Sequence, residues 1–171
     1  MKRTTIAAVS LVALVSAAPL GWAQPHDDKE RAELAQALRD GKISLQQGVT
    51  ASGKEGKPIS AKYEVEDGKL QLSVYTVKGD KFSEVIVDHK TGKVAKAEPI
   101  TKADDLPAAK AQSEAMAKAK RSLATAAAEA VKENKGFRAV AVMPSLKEGH
   151  PVADVELVKG TEWKTVSEKL D

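Results

Sequence analysis

The chain contains no cysteine. That absence removes disulfide frameworks, zinc knuckles, iron–sulfur sites, thiol nucleophiles and a cysteine-linked lipid anchor together. Aromatic residues are also scarce, at 4% of 171 residues, so any core must be built mainly from aliphatic side chains. Neither sign of charge dominates: 27 Lys and Arg stand against 24 Asp and Glu, interspersed along the chain. No basic stripe matches a phosphate backbone, which sets nucleic acid aside as a partner. With 42% hydrophobic and 30% charged residues, the composition fits neither a disordered polymer nor a membrane-embedded bundle.

The one long apolar run, Ile6 to Leu20, follows Met1-Lys2-Arg3 and closes on Gly21-Trp22-Ala23. It is short for a spanning helix, rich in Ala and Ser, and ends on small residues where a signal peptidase cuts. Residues 1–23 therefore read as a secretory signal peptide with cleavage after Ala23. The expected location is periplasmic or secreted, without stable membrane insertion after cleavage. Cleavage removes Lys2 and Arg3 and no acidic residue, leaving 25 basic against 24 acidic side chains. Five aromatic residues remain: Tyr63, Tyr75, Phe82, Phe137 and Trp163.

Along the mature chain, Lys29 to Asp40 has Leu34 and Leu38 four apart and Gly41 just beyond, a short amphipathic helix with its stop signal. Ser44 is a good cap for a second brief helix, and Gly48, Gly53 and Gly56 read as a flexible passage to Pro58. From Ile59 the apolar period becomes two. Asp67-Gly68, Lys78-Gly79-Asp80 and Lys90-Thr91-Gly92 punctuate a meander of three or four antiparallel strands. Leu106 to Glu133 holds 11 Ala in 28 residues and reads as one helix or two. Met116, Leu123, Ala127 and Ala130 form an apolar seam on it suited to packing on a sheet. The tail alternates again, through Phe137, Ala139, Ala141, Val152, Val155 and Leu157, to a last hairpin at Lys159-Gly160.

The two halves look like one unit written twice. Val77-Lys78-Gly79-Asp80-Lys81-Phe82-Ser83-Glu84-Val85 aligns with Val158-Lys159-Gly160-Thr161-Glu162-Trp163-Lys164-Thr165-Val166 at an offset of 81, and Ser44-Leu45 with Ser122-Leu123 at 78. The first half resembles the PepSY domain, whose third strand runs into an Asp-x-x-Thr-Gly-x-Val turn, here Asp88-His89-Lys90-Thr91-Gly92-Lys93-Val94. Asp88 and Thr91 are placed to bond the local backbone, and Gly92 to supply the positive φ that re-enters the sheet. The second half, about 119–171, resembles the family more weakly, because Ser167-Glu168-Lys169-Leu170 replaces that pattern before Asp171.

The resemblance implies an α+β protein of two PepSY-like units, each a small antiparallel sheet packed by a helix. Unit 1 spans 24–100 with its core at 40–98. Unit 2 spans 101–171, with an Ala-rich helix and a core at 119–171. PepSY domains occur in propeptides of secreted metallopeptidases and in small secreted or membrane-tethered bacterial proteins, where they are proposed to restrain peptidases. They bring no catalytic residues, so Asp88, Thr91 and Gly92 carry over only as a fold-defining turn.

Other chemistry is thinly supported. Gly48 to Lys54 matches the spacing of a phosphate loop, but Glu55 stands where a hydroxyl must hold magnesium and Pro58 blocks the helix that should follow. His26, His89 and His150 are the only imidazoles and none is spaced as a ligand pair; a site of His89, Asp88 and Glu84 can be drawn, but turn histidines are usually solvated. Glu64 and Glu66 share a strand face without an apolar pocket to raise either pKa. No serine elbow or metallopeptidase helix occurs. Tyr75, Phe82 and Trp163 are core residues or a partner patch. The expectation is an exported, non-enzymatic module with no cofactor and no metal, which binds or restrains a peptidase or other envelope protein through an unpaired sheet edge. The alternative is a periplasmic small-ligand or metal carrier using the cleft between the units, with His89 or His150.

Overall fold

The computed structural model describes residues 28–101 and 103–171; the signal peptide expected over 1–23 and His26 lie outside the described residues. Asp28 and Glu30 place negative charge in the first turn of α1 (Asp28–Ala37), where the helix dipole favours it. A 3-10 turn, Leu38–Asp40, follows. Ser44 opens α2 (Leu45–Ser52): its Oγ accepts the Gln47 N–H while the Gln47 side chain accepts the Ser44 N–H, a complete capping box. The meander is β1 (Lys57–Glu66), β2 (Lys69–Lys78), β3 (Lys81–Val87) and β4 (Val94–Pro99). Next come α3 (Leu106–Lys118), with Pro107 in its first turn, and α4 (Leu123–Glu133), capped by Ser122. The chain finishes with β5 (Arg138–Lys147), β6 (His150–Lys159) and β7 (Glu162–Lys169).

The seven strands form one antiparallel sheet in the order β4-β3-β2-β1-β5-β6-β7. This corrects the expectation of two separate small sheets, and with it the cleft between them. The innermost strands of the halves pair directly, Ala61 with Val142 and Lys62 with Ala141, so neither is left as an edge.

Helices cover both faces. Ala61, Tyr63, Leu72, Val74, Val142 and Val155 share one face through the pairing register and are fully buried. The backbone of Gly48 comes so close to Leu72 that an added Cβ would lie 2.3 Å from Leu72 Cδ2, which seats α2 on this face. Gly48 is thus a helix-interior residue, and the expected passage begins only after it. Gln46 Nε2 donates to the Ala127 carbonyl at 3.2 Å and brings α4 alongside, with Ala126, Ala127 and Ala130 buried. On the other face, Ser60 alternates with Ala61 and Met143 with Val142. Both meet Gln112 of α3: Ser60 Oγ donates to Gln112 Oε1 at 2.7 Å, and Gln112 Nε2 lies 3.8 Å from Met143 Sδ. Arg31 of α1 reaches Glu156 on the same face at 3.3 Å.

The Ala-rich seam divides accordingly. Ala119 is extended, at φ −72° and ψ 135°, so the helix breaks there. Met116 belongs to α3 and packs on one face, whereas Leu123, Ala127 and Ala130 belong to α4 and pack on the other.

The halves share local geometry well beyond the aligned residues. A bulge lies between Pro58 and Ser60 in β1 and between Ala139 and Ala141 in β5. The β1–β2 hairpin turns through positive φ at Asp67 and Gly68, and the β5–β6 hairpin through positive φ at Glu148 and Gly149, 81 residues on. The backbone N–H groups of Lys42 and Ile43 both donate to the His89 carbonyl; those of Lys120 and Arg121 both donate to the Leu170 carbonyl. In each half the end of the third strand therefore fixes the start of the helix that packs on it.

Arg138 adds three further side-chain bonds between the halves. Arg138, at the start of β5, donates from Nη1 to the Leu38 and Gly41 carbonyls at 2.8 and 3.1 Å and from Nη2 to the Ile43 carbonyl at 2.8 Å. Its guanidinium lies 5.0 Å from the centroid of the fully buried Tyr63 ring, whose hydroxyl also donates to the Ile43 carbonyl, at 2.9 Å. Burial raises the Tyr63 pKa above its ordinary value, opposed by the Arg138 charge. Replacing Arg138 by Ala leaves three carbonyls without this donor and removes the cation from the ring. The expected cost is about 2–4 kcal/mol, read as a lower midpoint in urea denaturation with an unchanged slope.

Candidate functional site

The Asp88 turn is a closed structural device. Asp88 Oδ1 accepts the Lys90 and Thr91 N–H groups at 2.9 and 2.7 Å and the Thr91 hydroxyl at 3.0 Å. Gly92 sits at φ +74° and returns its N–H to the Asp88 carbonyl at 2.8 Å. These bonds to the ionised form hold the Asp88 carboxyl below its ordinary pKa, the Thr91 N–H most of all. The turn presents the His89 carbonyl to Lys42 and Ile43 and so positions α2.

The other residues singled out in the sequence are not brought into one centre. Glu84 accepts from the buried Tyr75 hydroxyl at 3.2 Å, while Asp88 is engaged within its turn. His150 Nδ1 lies 3.1 Å from Asp171 at the surface. Among the described residues no group of three His, Asp or Glu is arranged to hold a metal. Glu64 pairs with Lys62 at 2.5 Å and accepts from Ser73, whereas Glu66 is exposed. Gly48 to Ser52 are helical, so no phosphate loop forms there. Tyr75 is buried in the core; Phe82 and Trp163 are half-buried at matching places on β3 and β7.

Those matching places differ in what lies beside them. Ile100 N–H donates to the Phe82 carbonyl at 2.9 Å, and β3 pairs Ser83 with Pro99. Backbone groups alternate in direction along a strand, so Phe82, Glu84 and Ile86 turn theirs toward β4. In β7, Leu170 N–H donates to the Pro151 carbonyl at 2.9 Å, and Val152 pairs with Lys169. By the same alternation Leu170, Glu168, Val166 and Lys164 face β6. Trp163, Thr165 and Ser167 direct their N–H and C=O away from the sheet, where the described residues supply no strand, and the outward Lys169 carbonyl accepts from Arg121 Nη1 at 2.7 Å.

The two edges of the sheet are therefore unequal. On β4 the outward positions are Ala97 and Pro99, and Pro99 has no N–H to offer. That strand is short and carries Lys96 paired with Glu98 at 2.8 Å, the features of a blunted edge. The outer row of β7 contains no proline. Beside it, a groove of about 960 Å³ runs between α1 and the β6–β7 hairpin, lined by Arg31, Ala35, Arg39, Val158 and Trp163. Arg31 lies 5.5 Å from the Trp163 ring centroid and pairs with Glu156.

No family model matches the chain, and no curated protein matches it. Among solved structures, a protein described as a "putative lipoprotein" from Clostridium difficile 630 aligns at a TM-score of 0.40 and 15% identity, covering 69% of this chain and 78% of that one. A likeness at that level establishes neither family nor function.

The Asp88 turn has a pH signature. Because the folded-state carboxyl titrates below its unfolded value, its contribution is complete above the ordinary carboxylate pKa of about 4. It is lost as pH falls through the lower, folded value. Asp88→Ala is expected to lower the melting temperature at neutral pH, with the gap to the parent protein narrowing on acidification. Thermal melts followed by circular dichroism at a series of pH values measure this directly.

Proposed function

We propose that this is an exported, non-enzymatic interaction module of two PepSY-like units that binds an extended segment of an envelope protein, a peptidase foremost, by adding it as a strand to β7. The carrying observation is the outward row of backbone groups at Trp163, Thr165 and Ser167, which matches the row that β4 occupies on β3. Strand addition of this kind draws its affinity from main-chain hydrogen bonds and its selectivity from side-chain pockets next to the edge. The groove beside Trp163 is such a pocket. The matched bulges, turns and helix anchors of the two halves support the two-unit reading. On this reading the protein restrains a peptidase by holding one of its segments extended, and no bond is made or broken.

Thr165→Pro separates this mode from others. It removes an outward N–H and leaves the β6-facing groups of Lys164 and Val166 in place. Capture from envelope extract on immobilised protein, with a peptidase assay on what is retained, is expected to show a retained peptidase slowed by the parent protein. The variant is expected to bind about tenfold more weakly, from one lost hydrogen bond and the proline ring at the edge. Equal retention by the two proteins would overturn strand addition at β7.

A further inference from the structure

We propose that the outer edge of β7 also accepts a second copy of itself, forming a symmetric dimer with one continuous sheet of fourteen strands. The inference rests on the reading of β7 as a strand-accepting edge and names an occupant for it. The argument begins from the order of residues in β7: Trp163, Lys164, Thr165, Val166, Ser167, Glu168, Lys169. A two-fold axis at Val166 pairs two such strands antiparallel. Val166 then meets its own copy, Thr165 meets Ser167, Lys164 meets Glu168, and Trp163 meets Lys169.

Two independent features favour this register. First, the backbone directions fit. Val166 turns its polar groups to β6, so it occupies the non-hydrogen-bonded position on the axis, where side chains sit closest. Thr165 and Ser167 turn theirs outward and exchange N–H···O=C bonds with the partner strand. Second, the charges fit. The Lys164–Glu168 pair occurs twice, on the face covered by α4, and opposite charges facing each other across strands are stabilising. An axis at Thr165 would instead set Glu162 against Glu168, and an axis at Ser167 would set Val166 against Glu168 and leave Lys164 without a carboxylate. Lys164 already donates to Asn134 and lies 4.4 Å from the Phe137 ring centroid, so its side chain is held on that face at the edge. Glu168, four residues further along the same face, is half-buried.

The test is charge exchange in the whole exported protein, read by sedimentation equilibrium over a concentration series at low salt. The unsubstituted protein is expected to pass from monomer to dimer mass as concentration rises and to shift back on added salt. Lys164→Glu and Glu168→Lys each set like charges opposite one another twice, and each is expected to weaken the dimer about tenfold. The double variant restores opposite charges and is expected to return to within about threefold of the parent. Because only Lys164 touches Asn134, restoration in the double variant cannot come from that contact, and circular dichroism verifies folding of each protein. A protein that stays monomeric throughout, or a double variant no tighter than the singles, overturns the dimer. Thr165→Pro distinguishes the two readings. If self-association is absent but partner capture still depends on Thr165, strand acceptance stands and self-pairing fails. If the charge-exchange pattern holds but capture ignores Thr165, self-pairing stands and the partner-binding reading fails.

Discussion

The guanidinium of Arg138 is the contact on which the rest of the arrangement depends. The halves of the sheet meet across only two registered residue pairs, Ala61 with Val142 and Lys62 with Ala141. Arg138 reinforces that seam from the second half by binding three carbonyls of the 38–43 connection in the first, while stacking on Tyr63 of β1. The connection leads from α1, whose Arg31 is bound to one face of the sheet, to α2, packed on the other. The Leu38 carbonyl closes the 3-10 turn by accepting the Gly41 N–H, whereas the Gly41 and Ile43 carbonyls lie outside helix and ladder and take side-chain donors. A planar fork of donors meets several carbonyls at once, which a lysine ammonium does less well.

The second theme is where the internal correspondence fails. Helix anchors, bulges and hairpins recur at offsets of 78 to 81 residues, yet the third strand of each half ends differently. After β3, Asp88, Thr91 and Gly92 reverse the chain so that β4 covers the outward backbone groups of Phe82, Glu84 and Ile86. After β7, Leu170 is drawn against Pro151 and receives Lys120 and Arg121, and the equivalent groups of Trp163, Thr165 and Ser167 meet no strand among the described residues. On β3 the corresponding row of backbone groups is paired by the antiparallel strand β4.

The elements were legible because their signals are local. Ser44 and Ser122 cap helices by bonding residues three positions on, Asp67-Gly68 turns a hairpin through two adjacent residues, and Asp88 bonds Lys90 and Thr91. Long-range or ambiguous signals are not legible in the same way. Gly48 read as a loop residue because its role is contact with Leu72, 24 positions away. The Ala-rich stretch gave no sign of whether one helix or two was present, since alanine favours helix on either side of the break at Ala119. Glu148-Gly149 is a weak turn signal because glutamate rarely takes positive φ.

What the sequence alone determined, then, is most of the succession of helices and strands, most of the turns between them, and the internal correspondence. Each follows from residues close together in the chain or from direct comparison of two segments. The tertiary structure decided that both halves share one sheet, that α3 and α4 take opposite faces, and that β4 and β7 are the two edges among the described residues, with proline on the outward row of β4 alone. Those outcomes depend on pairings such as Ala61 with Val142 and on Arg138 reaching back to Leu38. Contacts across a hundred residues leave no periodicity for a reader of the chain to follow.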